Sequence, residues 1–173
     1  MVRRLKKVRM LNKTIDIKTS SRIGEKEYSG ICIVHNEKIC MLLNFNEETG
    51  VYDGFTILRN MDVEFYREWG TEDYAELIHD NSDAFLNELN VSDFHDFKSS
   101  LEQLDTKLIA VFIENDLDAY YVGKIESLKG DTLSLRLISK DAEWIDVVEL
   151  DIEAIWYIGF DSTYEKKLLS LAT

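Results

Sequence analysis

IDIKTSSRIGEKEYSGICIVHNEKICMLLNF, residues Ile15 to Phe45, lies without a gap on LIAVFIENDLDAYYVGKIESLKGDTLSLRLI, residues Leu108 to Ile138, at a constant offset of 93. The register sets Ile15 against Leu108, Tyr28 against Tyr121, Gly30 against Gly123 and Leu42 against Leu135. Few paired residues are identical, but they run in order and break once, in a polar stretch, which chance alignments seldom do. Further on the offset drops to 89, where Met61-Asp62-Val63-Glu64 meets Leu150-Asp151-Ile152-Glu153 and Gly70 meets Gly159. The spacing predicts a duplicated β-rich unit whose first copy carries a loop four residues longer.

Proline is absent, so turns fall to Gly, Asn and Asp. In the second copy Leu108 to Ile113 is an apolar run that reads as a buried strand. Tyr121 to Ser127 then alternates toward the Lys129-Gly130-Asp131 turn, and Thr132 to Ile138 returns with Leu133, Leu135 and Leu137 on one face. Trp144 to Leu150 and Glu153 to Ile158 add two more strands. The first copy repeats the plan with Thr14–Thr19, Tyr28–Val34, Lys38–Asn44, Tyr52–Leu58 and Val63–Trp69. Both faces of Lys38–Asn44 are apolar, which predicts cover on both sides. Five short strands in roughly 60 residues predict a small, strongly bent barrel in each copy.

Between the copies the apolar period changes from two to 3.6. Glu72 to His79 and Ser82 to Leu89 read as helices, with Ser82 as an N-cap. Ser92 is expected to open a third, carrying Phe94, Phe97, Leu101 and Leu104, and Tyr164 to Leu169 starts another. The predicted domains are 1–70, a first barrel with a basic N-terminal helix or arm; 71–91, a helical connector; and 92–173, a second barrel with a leading helix and a short C-terminal one.

The net charge is -13, yet the first eighteen residues hold Arg3, Arg4, Lys6, Lys7, Arg9, Lys13 and Lys18 against the single acid Asp16, which leaves -19 on the remainder. Nucleic-acid affinity rests on Lys and Arg displacing counterions, so the acidic body disfavours it. Any such contact falls to the arm Arg3, Arg4, Lys6, Lys7 and Arg9. No run of 18 apolar residues exists and the basic start lacks an apolar core and cleavage site, so a cytoplasmic protein with no membrane partner is expected. Cys32 and Cys40, on a hairpin about Asn36-Glu37, read as buried diagonal neighbours, with a redox pair as the sharper alternative.

Catalytic chemistry finds little support. His35, His79 and His95 fall in a turn, a helix end and a helix start, with no GxSxG elbow beside any serine. A metal site would rest on Glu114, Asp116 and Asp118, or on His79, Asp80 and Asp83, but neither the glycine nor the closing glutamate of a calcium loop follows Asp116, and a solvated acidic loop is the expectation. Eight scattered glycines form neither a phosphate loop nor a dinucleotide fingerprint. The expectation is no enzyme, no catalytic or metal-binding residues and no cofactor.

A helix leading into a five-stranded bent barrel resembles the Sm-like variant of the SH3-like barrels. The phrase Tyr121-Val122-Gly123-Lys124-Ile125, the stretch Leu150-Asp151-Ile152-Glu153 and the close Asp161-Ser162-Thr163-Tyr164-Glu165-Lys166-Lys167-Leu168 resemble uncharacterised bacterial proteins with tandem Sm-like domains. The resemblance implies an α+β, mainly β fold of two tandem Sm-like barrels, and no activity. It stops short of the RNA site, because the hairpin Lys129 to Ser134 has no Asn after its turn and the later basic element is replaced by Glu149 to Glu153.

These readings converge on a non-catalytic protein-interaction or scaffold module. Two alternatives stand beside it: an RNA-binding regulator using the basic N-terminus, and an acidic inhibitor or immunity-type protein covering a basic target. The expected partner is a protein or a second copy, giving a monomer or dimer, with Glu153, Ile155 and Tyr157 on the available strand edge.

Overall fold

The computed structural model describes residues 11–20, 25–70, 81–87, 89–113 and 120–172. Its strands are β1 (Thr14–Thr19), β2 (Glu27–His35), β3 (Ile39–Asn46), β4 (Val51–Arg59), β5 (Val63–Glu68), β6 (Leu108–Ile113), β7 (Tyr120–Lys129), β8 (Thr132–Ile138), β9 (Trp144–Asp151) and β10 (Ile155–Phe160). All ten fall within two residues of where alternation and turn residues predict them.

Their assembly differs from expectation. Instead of two five-stranded barrels, the chain builds one open antiparallel sheet of ten strands in the order β5-β1-β2-β3-β4-β10-β6-β7-β8-β9. The joint is β10, which pairs with β6 on one flank and with β4 on the other, Phe160 facing Phe55 and Tyr157 facing Leu58. Period-two alternation decides which residues face a core but not which strand lies alongside, and here Phe55, Ile57, Leu58, Ile158 and Phe160 are all buried by pairing across the midline. The mainly β reading holds; the barrels do not.

Within each half the order is the same: fifth strand, first, second, third, fourth. Local details match too. The β2–β3 ladder shifts between Cys32 and Val34 and the β7–β8 ladder between Ile125 and Ser127; the β3–β4 ladder shifts between Leu43 and Phe45 and the β8–β9 ladder between Arg136 and Ile138. Such bulges bend a strand and increase its twist. Gly30 and Gly123 sit at the tightest approaches: an added Cβ would stand 2.1 Å from the Leu43 carbonyl oxygen and 2.3 Å from that of Arg136.

The late offset of 89 is not followed. Matching 3-10 turns at Asn60–Asp62 and Ile152–Ala154 lead into β5 and β10, which keeps the halves 92 apart. Met61-Asp62 lies in its turn, whereas Leu150-Asp151 ends β9, so that likeness of sequence joins unlike positions.

The largest core combines both halves with the connecting helices. Met41, Leu43, Phe55 and Ile57 of the first half meet Leu133, Leu135 and Ile155 of the second, under Phe94, Phe97, Leu101 and Leu104. The second face of β3 buries Cys40 and Leu42 against Ile15, Ile17, Leu58 and Trp156, so that strand is covered on both sides. Helix α1 is only Asp83–Leu86, and the Ser82 side chain does not cap it. Ser92 lies in a 3-10 turn, Val91–Asp93, and opens no longer helix. Instead Asp96 caps α2 (Phe97–Glu102) through a reciprocal box with Ser99, because its carboxylate reaches the third backbone N–H. Ser162 and Glu165 make the same box at α3 (Thr163–Leu171). The helix expected over Glu72–His79 lies outside the described residues.

Candidate functional site

Groups able to do chemistry are engaged in holding strands together. Among the described residues no group of three or more His, Cys, Asp and Glu could hold a metal ion. Cys32 and Cys40 are free thiols with no exposed surface. The hydrogen bond between them and their burial push Cys40 up, away from a reactive thiolate. Beside them His35 Nε2 lies 3.2 Å from the Tyr66 hydroxyl, which bonds to Asn60 Oδ1. Burial lowers the His35 pKa and, with the two thiols, raises that of Tyr66. The candidate ligands His79, Asp80, Glu114, Asp116 and Asp118 lie outside the described residues, and Asp83 begins α1.

A polar cavity of about 560 Å³ opens between β1, β2, β3 and β5, with Asp16, Ser29, Asn44 and Arg67 on its wall. Asp16 is saturated: Arg67 Nε donates to it at 2.7 Å, Trp69 Nε1 at 2.6 Å and Ser29 Oγ at 2.8 Å. A carboxylate with that many donors is a bracket holding the fifth strand to the first.

A second hollow of about 400 Å³ follows the midline, lined in part by Lys38, Arg59, Asp96, Phe97 and Ile152. Arg59 spans it, donating through Nη2 to the Ile152 carbonyl at 2.5 Å and through Nε to that of Ile155 at 3.3 Å. Lys38 Nζ sits 2.9 Å from Asp96. The backbone hydrogen bond from Ser99, with Lys38, holds the Asp96 carboxyl down at about 2. These charges too are spent within the chain.

Aromatic rings run the same way. Phe112 stacks on Tyr157 at 4.0 Å and on the exposed Tyr120 at 5.3 Å, while Lys26 Nζ donates to the Tyr157 hydroxyl at 3.1 Å. Tyr28 meets Tyr157 edge-on, and burial with that neighbour raises its pKa.

What is left open is the sheet itself. Among the described residues β5 and β9 have a neighbouring strand on one side only. Large apolar side chains exposed on strands are Phe65, Tyr120, Ile145 and Val147, and three of these four lie on β5 and β9. Ile145 is 53% exposed, Val147 47% and Phe65 52%. On β9 they lie among the exposed acids Asp146, Glu149 and Asp151. The Arg136 guanidinium lies 5.3 Å from the Trp144 ring and steadies the start of that strand from its inner neighbour.

The residues expected at an edge are elsewhere. Ile155 and Tyr157 are buried on β10, the strand paired on both flanks, and Glu153 is exposed in the turn before it, 3.5 Å from Arg59. The association that strand makes is with β4 of the same chain. The arm Arg3, Arg4, Lys6, Lys7 and Arg9 lies outside the described residues. Sequence reasoning missed β9 as an edge, although Ile145, Val147 and Val148 between acids put apolar side chains on both faces of one strand. That pattern marks a strand with two faces to cover, not the flank left unpaired.

Among the described residues no helix is long and apolar enough to cross a membrane. No protein-family model, curated protein or solved structure matches the chain. The resemblance drawn from Tyr121 to Ile125, Leu150 to Glu153 and Asp161 to Leu168 therefore rests on those residues alone.

Proposed function

We propose that this chain is a non-catalytic protein-interaction module that engages its partner by strand addition at a sheet edge. One observation carries the reading: exposed apolar side chains on strands gather on β5 and β9, which among the described residues lack a second neighbouring strand. Unpaired edges present a row of N–H and C=O groups that templates another strand, and proteins usually blunt them with charge. Here the blunting is partial. Asp146, Glu149 and Asp151 discourage indiscriminate pairing, while Ile145 and Val147 reward a strand that brings apolar side chains of its own.

The engagement of Asp16, Asp96, His35 and both cysteines within the fold supports a binding role over a catalytic one. The test is capture from native lysate by immobilised chain, with protein and RNA both analysed, against a variant carrying Ile145→Lys and Val147→Lys. Proteins retained by the unaltered chain and lost with the variant are the expected result. Retention indifferent to both substitutions, or RNA as the main captured species, would overturn it, the latter in favour of the basic N-terminus.

A further inference from the structure

We propose that the free flank of β9 takes a basic strand from another protein, one whose residues alternate between apolar side chains and lysine or arginine. This rests on the strand-addition reading and names the chemistry of the partner.

The ladder to β8 sorts β9 into two rows. Leu133 and Leu135 are buried in the shared core, and they face Leu150 and Val148. Those two side chains therefore lie on the core side of the sheet, where they pack against the cluster but stay only partly buried. Thr132, Ser134 and Arg136 face Asp151, Glu149 and Val147, which puts both acids and Val147 on the opposite side, all three of them exposed. A strand laid along this flank continues both rows. With apolar residues on one face it carries the core past Val148 and Leu150, and with the other face it meets Glu149 and Asp151.

Charge decides what that second face must hold. From Trp144 to Asp151 the edge has Asp146, Glu149 and Asp151 and no Lys or Arg. Arg136 on the neighbouring strand is already placed over the Trp144 ring. Elsewhere charges are spent within the fold, as on β5, where Glu68 pairs with Lys13 and Arg67 with Asp16. The Asp146 and Glu149 side chains have no such partner among the described residues. Opposite charges set across a ladder stabilise it and like charges oppose it, so a second β9 or any acidic strand is repelled and a basic one is favoured. The net charge of -13 acts in the same sense at longer range, drawing a basic partner in and turning phosphate backbones away.

Fluorescence anisotropy tests this with a labelled synthetic peptide that alternates lysine with valine and matches β9 in length. Two companions carry the same label: one of identical composition with its lysines and valines in separate blocks, and one with glutamate in place of lysine. The alternating lysine peptide should bind, less tightly as salt is added, and both companions should bind at least about tenfold more weakly. Amide exchange in the complex should slow across Trp144–Asp151 and stay unchanged on β5. Asp146→Asn with Glu149→Gln, both at exposed positions, should lower affinity roughly threefold to tenfold and flatten the salt dependence, as loss of two exposed ion pairs requires. Asp151 is kept because its side chain accepts the Glu153 N–H in the turn into β10. Thermal melts verify that the variant folds. No binding of the lysine peptide, equal binding of the block or glutamate peptide, or protection that falls elsewhere than β9 overturns the proposal. If it is overturned while capture from lysate still depends on Ile145 and Val147, the basic chemistry falls and strand addition stands; if capture is indifferent as well, both fall.

Discussion

The Arg59 guanidinium lies over the Phe97 ring, 4.4 Å from its centroid, and from there reaches the carbonyls of Ile152 and Ile155. One side chain thus ties the end of β4, the first residue of α2 and the turn leading into β10. The two halves share a sheet through backbone pairing, and Arg59 fastens the end of that pairing nearest α2.

Replacing Arg59 with Met keeps much of the aliphatic stem and removes the fork. The cost should be about 2 kcal/mol, from lost charge-assisted bonds to part-buried carbonyls and the contact with Phe97. Urea denaturation measures the loss, and amide exchange should rise first in β10. Arg59→Lys should recover less than half, since an ammonium cannot reproduce the fork. An unchanged midpoint for Arg59→Met would mean that strand pairing alone sets the midline.

Gly30→Ala and Gly123→Ala should each destabilise by about 1–3 kcal/mol or more, because the added carbon meets backbone that cannot swing aside. Gly130 is the control: its φ is +60° but nothing lies within 4 Å of an added Cβ, so Gly130→Ala should cost only about 1 kcal/mol, from the left-handed backbone alone. Chemical melts of the three variants decide it. Equal losses would remove steric approach as the reason for the first two glycines.

Those glycines also show what was legible in the sequence. The equivalence of Gly30 with Gly123, and of Tyr28 with Tyr121, is visible at a fixed offset, and so are strand positions, because turns and alternation are local. The joint was not legible. Nothing in Ile155 to Phe160 distinguishes a strand flanked on one side from one flanked on both, since its apolar run suits either. One helix start was misplaced for a related reason: α1 does begin just after Ser82, but Ser92 and Asp96 are both acceptable N-caps by type, and only the packing of Phe97 and Leu101 into the shared core selects Asp96. Edge residues on β9 were hidden because being an edge is a property of the whole sheet.

Acid should weaken α2 in a defined window. Asp96 is held at about 2 against an ordinary 3.8, first by the Ser99 backbone N–H and then by Lys38. A carboxyl depressed in the folded state contributes stability that is complete above its unfolded value and lost as pH falls through the folded one. Asp96→Ala should therefore cost roughly 1 kcal/mol at neutral pH, the usual worth of such a cap. The difference between variant and unaltered chain should shrink as pH falls from about 4 toward about 2. Urea midpoints at pH 7, 4 and 2.5 measure it; a gap that stays constant would show that the charge is not what caps the helix.

Asp16 offers the sharpest link between the interior of the fold and its edge. Its carboxylate receives Arg67, Trp69 and Ser29, and it is the bracket by which β5 stays flat against β1. Asp16→Ala removes the acceptor that the Trp69 indole N–H and the Arg67 guanidinium share, a loss of about 2–3 kcal/mol for a partly buried network of charged hydrogen bonds. The loss should be local before it is global, because among the described residues β5 pairs with β1 alone while β1 is also held by β2. Amide exchange should accelerate across Val63–Glu68 with little change in β7 or β8. Asp16→Asn, which keeps one acceptor for Trp69, should fall between the two. Exchange across Val63–Glu68 that is unchanged in Asp16→Ala would show that this network is not what holds β5 to β1.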